Sequence, residues 1–324
     1  MFLKYKMGLG LILVAGIWAT SACDVSATEM DYFEYGSLPG TVQGEEMKYV
    51  KVNLYAAWDK ISVPSLSAAC QVLGEPNPQM SVVPNPHPAI PGDCNVTNYG
   101  SWRDAGQPFT DYRFLTNANF FQLGFGYNAA CGNGLGVTLK DGSWISGANV
   151  VDRDVHGVTT HTLILFNLQG ILRFHKYAEI VNPHYDFAAN RQYIRGAISG
   201  YSFMHNNRFV VQPPAISPGL ARPRTAVGIS RDGNQLIFLS INVGRSTHGE
   251  DLTAQGSFYT ALEALGAHDV LNLDGGGSAQ LVLSEIGGGA PVLNTLPSDV
   301  RDVPAHTACA QRFYRPVPVV IGVE

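Results

Sequence analysis

The run Leu271-Asn272-Leu273-Asp274-Gly275-Gly276-Gly277-Ser278-Ala279-Gln280-Leu281 concentrates more chemistry than any other stretch of the 324-residue chain. An apolar, strand-like segment delivers a carboxylate; three glycines follow; a hydroxyl precedes a second apolar segment. Asp274 at a strand end can serve as a nucleophile or as a base toward water. Three glycines let backbone approach a ligand closely or take positive φ, at an entropic cost of roughly 1 kcal/mol each relative to alanine. Adjacent N–H groups in such a turn can cup an anion, and the Ser278 hydroxyl adds a donor. The same residues also suit a plain glycine turn with Asp274 as turn former. No G-x-x-x-x-G-K-[ST] occurs and no helix pattern opens at the glycines, so neither a P-loop nor a dinucleotide fingerprint is present.

Other polar clusters carry weaker signals. Asp152, Asp154 and His156 alternate and could share a face as metal ligands, but a solvated strand or turn accounts for them better. His161, His175, His184, His205, His248 and His306 show no H-E-x-x-H spacing and read as surface or internally satisfied groups. No C-x-x-C occurs, and no cofactor or metal is expected. Glu250 is open as a second carboxylate, while Asp251 reads as a helix cap.

The elements that must hold Asp274 are short and mostly extended. Tyr49 to Trp58 alternates apolar and polar residues as a strand does. Further β-like runs cover 136–139, 161–166, 172–175, 226–229, 236–242, 270–273, 279–283 and 317–323, with Arg231-Asp232-Gly233-Asn234 as a hairpin turn. One helix is expected from an Asp251 cap, through Phe258, Leu262 and Leu265 on one face, to a left-handed stop at Gly266. A second is expected over 64–73, where Pro64 suits a first turn and Gly74 follows the last. Residues 74–94 hold six prolines and read as an irregular loop. The expected fold is α+β, a single domain rich in mixed or antiparallel β-sheet with a few packed helices.

Composition bounds the function classes. Charged residues are 15% and hydrophobic residues 45%, which excludes a disordered chain. A net charge of −5 argues against a nucleic-acid surface. Residues 1–27 read as an export signal: Lys4 and Lys6 precede an apolar stretch from Gly8 to Trp18, and small residues follow. Cleavage after Ala22 or Ala27 gives a secreted or periplasmic protein, and cleavage before Cys23 gives a lipid-anchored one. Removing 1–27 makes the charge more negative by one and leaves Cys70, Cys94, Cys131 and Cys309. Four cysteines in an exported chain allow three disulfide pairings. One of these, Cys70 with Cys94 and Cys131 with Cys309, would close the proline-rich loop and tie the centre to the C-terminus.

Leu271 to Leu281 resembles the D-G-G-G-S hallmark of the phosphodiester glycosidase family. Further segments agree in order: Asn117-Ala118-Asn119-Phe120-Phe121, Ile198-Ser199-Gly200, Arg224-Thr225-Ala226-Val227-Gly228-Ile229 with the Asp232-Gly233 turn, and Arg315-Pro316-Val317. The chain departs from the family pattern at Tyr201, where a second glycine is usual, and at Ala279, Val319 and Asp251. The likeness spans roughly 95–324; 28–94 reads as a β-rich extension of the same domain.

The resemblance implies an enzyme that hydrolyses the sugar–phosphate bond of glycosyl phosphodiesters, releasing free sugar and a phosphomonoester. It implies Asp274 as the catalytic carboxylate and Arg224 as a phosphate clamp, its planar donor fork matched to two oxygens. Gly275, Gly276, Gly277 and Ser278 would add donors, and Asn117, Asn119, Ser199 and Gly200 would line the substrate pocket. Asn117 and Asn119 equally suit a role in satisfying buried backbone, and Arg315 reads as a structural ion pair. The expected partner is a glycan or sugar-phosphodiester, with no nucleic acid, and with membrane contact only through a lipid on Cys23. Two other functions fit the same residues: a non-catalytic module that binds envelope glycans, and a hydrolase of phosphate-free envelope glycans.

Overall fold

The computed structural model describes residues 32–63, 80–83, 96–99, 112–122, 133–146, 160–167, 176–245, 247–284, 291–295, 299–300, 312–314 and 319–324. The signal-like segment, all five cysteines, the helix expected over 64–73, the 172–175 strand, Asp152, Asp154, His156 and Arg315 lie outside them.

The first strands are β1 (Phe33–Pro39), β2 (Glu46–Asn53), β3 (Ile61–Ser62), β4 (Met80–Val83), β5 (Val96–Tyr99), β6 (Phe114–Asn117), β7 (Phe121–Gln122) and β8 (Asn133–Gly134). The middle of the chain adds β9 (Thr138–Lys140), β10 (Ser143–Ser146), β11 (His161–Phe166), β12 (Ala178–Val181), β13 (Ile194–His205), β14 (Arg208–Phe209), β15 (Arg224–Ile229) and β16 (Gln235–Ile241). The last are β17 (Asp269–Asn272), β18 (Leu281–Ser284), β19 (Pro291–Asn294), β20 (Asp299–Val300), β21 (Arg312–Tyr314) and β22 (Val320–Val323). The α-helices among the described residues are short: α1 (Leu54–Ala57), α2 (Phe187–Asn190) and α3 (Ser257–Ala264).

The main sheet runs β1-β2-β16-β15-β17-β13-β11-β12, with β14 and β9 also on β13 and β10 on β9, and every pairing in it is antiparallel. A second antiparallel sheet runs β19-β18-β6-β22-β3. A third, β20-β21-β5-β4, contains a parallel pair, β21 with β5. The first two sheets close over an apolar layer that includes Phe33, Phe114, Val227, Phe238, Leu271, Leu273, Leu281 and Ile321. The other face of the main sheet packs Phe203, Ala226, Leu239 and Val270 against Phe258 and Leu262 of α3. Central strands are therefore buried on both sides, which is why β15 and β16 read as near-continuous apolar runs rather than alternating ones.

Three expectations need correction. The strand from Tyr49 stops at Asn53, whose side chain accepts the Tyr55 N–H and caps α1. The helix expected from Asp251 starts at Ser257, because the Asp251 carboxylate instead accepts the N–H and hydroxyl of Thr253 and closes a local turn. Its end is as expected: Gly266 at φ 91° donates to Glu263 O and Ala267 donates to Leu262 O, a Schellman stop. The third is an omission: β13, with twelve residues, is the longest strand described, yet Gly196, Ser199, Gly200 and Ser202 disguise it.

Candidate functional site

β13 has two different partners on one edge. β9 pairs with Gly196 and Ala197, and β17 pairs from Tyr201 onward. The segment after β6 fills the split between them. Asn119 Oδ1 accepts the Ser199 N–H at 2.9 Å, while its Nδ2 donates to Leu135 O at 2.9 Å and Thr138 Oγ1 at 3.0 Å. The Ser199 hydroxyl donates to Val137 O and lies 3.0 Å from Thr162 Oγ1. Asn119 and Ser199 are thus buried ties that close a break in the sheet.

Asp274 stands where β17 leaves the sheet beside this split. Its N–H donates to Ala118 O at 3.1 Å, and Leu273 N–H donates to Thr225 O at 2.9 Å. Leu271 and Leu273 belong to the inter-sheet core, so alternation turns Asn272 and Asp274 toward the opposite face. Asp274 Oδ1 accepts the Gly275 N–H at 2.9 Å, and the residue is half-buried.

The glycine turn is braced from three sides. Asn117 Nδ2 donates to Asp274 O at 2.7 Å, and Asn117 Oδ1 accepts from Gln280 N at 2.9 Å and Thr225 Oγ1 at 3.0 Å, so one amide fastens both ends of the turn to β15. Asn242 Nδ2 donates to Ala279 O. Gly276 N–H donates to Pro223 O, the same oxygen that a Cβ on Gly275 would meet at 2.7 Å. Gly275 is required for that close approach, Gly276 for its φ of 59°. Residues 276–278 form one 3-10 turn in which Ser278 N–H returns to Gly275 O and Ala279 N–H to Gly276 O. Most amides of the expected nest are consequently occupied. Among the described residues, Gly277 N–H has no acceptor and Ser278 Oγ, fully buried, has no partner.

Arg224 lies beside this turn, at the start of β15, but its guanidinium faces the chain. Nε donates to Glu250 O at 3.2 Å, Nη1 to Ile216 O at 3.1 Å, and Nη2 to Ser217 O at 2.8 Å and Leu220 O at 3.1 Å. Burial lowers its pKa to about 10, with the neighbouring Arg222 acting in the same direction and Asp251 opposing, so it stays charged at neutral pH. The expected clamp is therefore a buried hub: four of its donors organise the 216–224 segment and the Glu250 backbone.

Nothing in the sequence singled out the tip of the β1–β2 hairpin, yet it reaches this region. Glu250, 1% exposed, accepts from Thr41 N–H and hydroxyl and from the Ser257 hydroxyl. Both of its oxygens are occupied, so the structure gives Glu250 a bracing role where a second reactive carboxylate had been open. Gly249, at φ 130°, packs so closely on Arg222 that a Cβ would lie 2.1 Å from its carbonyl oxygen. Glu45, also buried, takes the Gly249 N–H and faces His248, Arg245 and Glu250. Burial raises its pKa above the ordinary glutamate value and Glu250 adds to this, against the opposing pull of His248, the Gly249 N–H and Arg245. A raised folded-state pKa means that the contribution to stability is complete at low pH and is lost as pH rises above the unfolded glutamate range. Glu45→Gln should therefore raise the melting temperature at neutral pH and leave it unchanged near pH 3. An equal shift at both pH values would reject the burial argument.

The family model described as phosphodiester glycosidase matches residues 126–324. Among solved structures, the catalytic domain of zebrafish N-acetylglucosamine-1-phosphodiester alpha-N-acetylglucosaminidase, auto-inhibited by its pro-peptide, aligns with a TM-score of 0.55 at 15% identity, covering 90% of this chain and 82% of that one. A hypothetical protein from Synechocystis aligns with a TM-score of 0.48 at 15% identity, covering 91% and 62%. A protein described as exported from Burkholderia pseudomallei aligns with a TM-score of 0.44 at 12% identity, covering 88% and 75%. No curated protein sequence matches the chain.

Proposed function

The chain belongs to the phosphodiester glycosidase family, and from that premise we propose that it hydrolyses the sugar–phosphate bond of glycosyl phosphodiesters, releasing free sugar and a phosphomonoester. The observation that carries this reading is the Asp274 carboxylate, held at the end of β17 by backbone from Ala118, Thr225 and Pro223, beside the two donors of the glycine turn left over by the fold. Cleavage at an anomeric carbon develops oxocarbenium-like charge, which a fixed carboxylate stabilises or captures. A departing phosphomonoester is a weak base, so little help from a general acid is needed. Gly277 N–H and the Ser278 hydroxyl are the groups suited to the phosphoryl oxygens.

Arg224 acts in this reading as a positioning residue. It orders the 216–224 segment, whose Pro223 carbonyl receives Gly276. Asn117, Asn119 and Ser199 likewise set the shape of the site through the chain's own backbone. Gly200 lets β13 approach β17, since a Cβ there would meet Asn272 O at 2.5 Å. Residues 1–27 support an exported setting for this activity, secreted, periplasmic or lipid-anchored through Cys23.

The direct test is product mass on a synthetic sugar-1-phosphodiester. One water is added, and in ¹⁸O-labelled water breakage of the anomeric C–O bond gives free sugar together with an unlabelled phosphomonoester. Cleavage on the other side of phosphorus would release a sugar phosphate instead and would overturn the assignment, as would release of sugar from phosphate-free glycosides alone.

A further inference from the structure

Asn272 is 1% exposed, and its Oδ1 has no hydrogen-bond partner among the described residues. A buried acceptor left unpaired is costly, so an orphan beside a reactive carboxylate points to a donor that arrives with a ligand. Its place is well defined. In the β15-β17-β13 ladder Asn272 lies between Ala226 and Tyr201, its direct partners on either side. It shares a sheet face with them and, two residues on, with Asp274. Tyr201 carries its ring against Phe120, centroids 4.7 Å apart, and Phe120 is partly exposed. An acceptor oxygen repels phosphoryl oxygens, which also only accept. It pairs with the O–H or N–H of a sugar, whose C–H faces in turn pack well on aromatic rings. On the far side of Asp274 in sequence, the unpaired Ser278 hydroxyl can donate, as a phosphate requires.

We propose that Asn272, with Tyr201 and Phe120 beside it, forms the sugar-side subsite of this site, Asn272 Oδ1 accepting a hydroxyl or acylamino proton of the glycosyl ring. The inference rests on the glycosidase reading and deepens it by dividing the site: Asn272 and the aromatic pair take the sugar, Gly277 and Ser278 take the phosphoryl group, and Asp274 stands between. Tyr201, which stands where a second glycine is usual in the family pattern, becomes in this arrangement a wall of the sugar subsite.

Binding measured without turnover tests it. The probes are N-acetylglucosamine, glucose and inorganic phosphate, titrated by ligand-observed NMR against the full chain and its Asn272→Ala and Phe120→Ala variants. Expected is that at least one sugar binds the unmodified protein and is weakened about tenfold or more by each substitution, with phosphate affinity changed less than about twofold. Phe120→Ala, at a partly exposed position, keeps the test informative if Asn272→Ala fails to fold. Failure of both sugars to bind the unmodified protein, sugar affinity unchanged in the variants, or an equal loss for phosphate would each overturn the subsite. Sugar binding that depends on Asn272 in a protein that cleaves no phosphodiester would overturn the hydrolytic reading while leaving the subsite in place.

Discussion

Asp274→Asn is expected to lower kcat on a sugar-1-phosphodiester by at least about 10²-fold while leaving the melting temperature within a degree or two. The separation of the two effects follows from the local bonds. Asp274 holds its place through backbone: its N–H on Ala118 O and its carbonyl on Asn117 Nδ2. The side-chain bond from Gly275 N–H to Oδ1 is available equally to an asparagine oxygen. What the substitution removes is the negative charge, and with it the capacity to attack carbon, to take a proton from water, or to stabilise an oxocarbenium-like centre. Turnover close to that of the unmodified enzyme in a correctly folded Asp274→Asn protein would remove Asp274 from the chemistry.

Arg224→Met should have the largest effect on stability, about 3 kcal/mol, because four carbonyls lose the guanidinium at once: Ile216 O and Leu220 O lose the donor described for them, while Ser217 O keeps the Leu220 N–H and Glu250 O keeps the Arg222 N–H. For a chain of 324 residues the loss corresponds to roughly 4–5 °C in melting temperature. Arg224→Lys should recover little, because an ammonium presents its donors from one point and cannot span four carbonyls spread around a planar fork. Activity should fall in both variants as the Pro223–Gly276 bond loosens. A variant that melts normally yet loses affinity for inorganic phosphate would restore the direct clamp that the sequence first suggested.

The sequence was most informative where local chemistry and tertiary structure agree. The β15–β16 hairpin at 231–234 and the Gly266 stop of α3 were legible because the residues that make them are adjacent. The Asp274 turn was legible for the same reason. Asn117, Asn119 and Arg224 were expected at the substrate, but the partners described for them lie 4 to 163 positions away, and side-chain type alone does not reveal whether an amide or guanidinium faces a ligand or a carbonyl. β13 was missed because its glycines and serines carry the split between β9 and β17, which is a property of neighbours rather than of the strand. Glu45 and Thr41 were missed because nothing near them in the chain announces the loop at Gly249 and Glu250 that they meet.

The hairpin of β1 and β2 covers the outer edge of β16 along six registered pairs, from Gln235 with Asn53 to Ser240 with Lys48. Its residues, like those of β6, precede the segment matched by the family model. The segment matched by the family model is thus not a self-sufficient unit. Cut away from its first hundred or so residues, it would present an apolar strand margin with open N–H and C=O groups, the kind of surface on which chains stack edge to edge. By pairing that margin, the β1–β2 hairpin works as a built-in guard against edge-to-edge association.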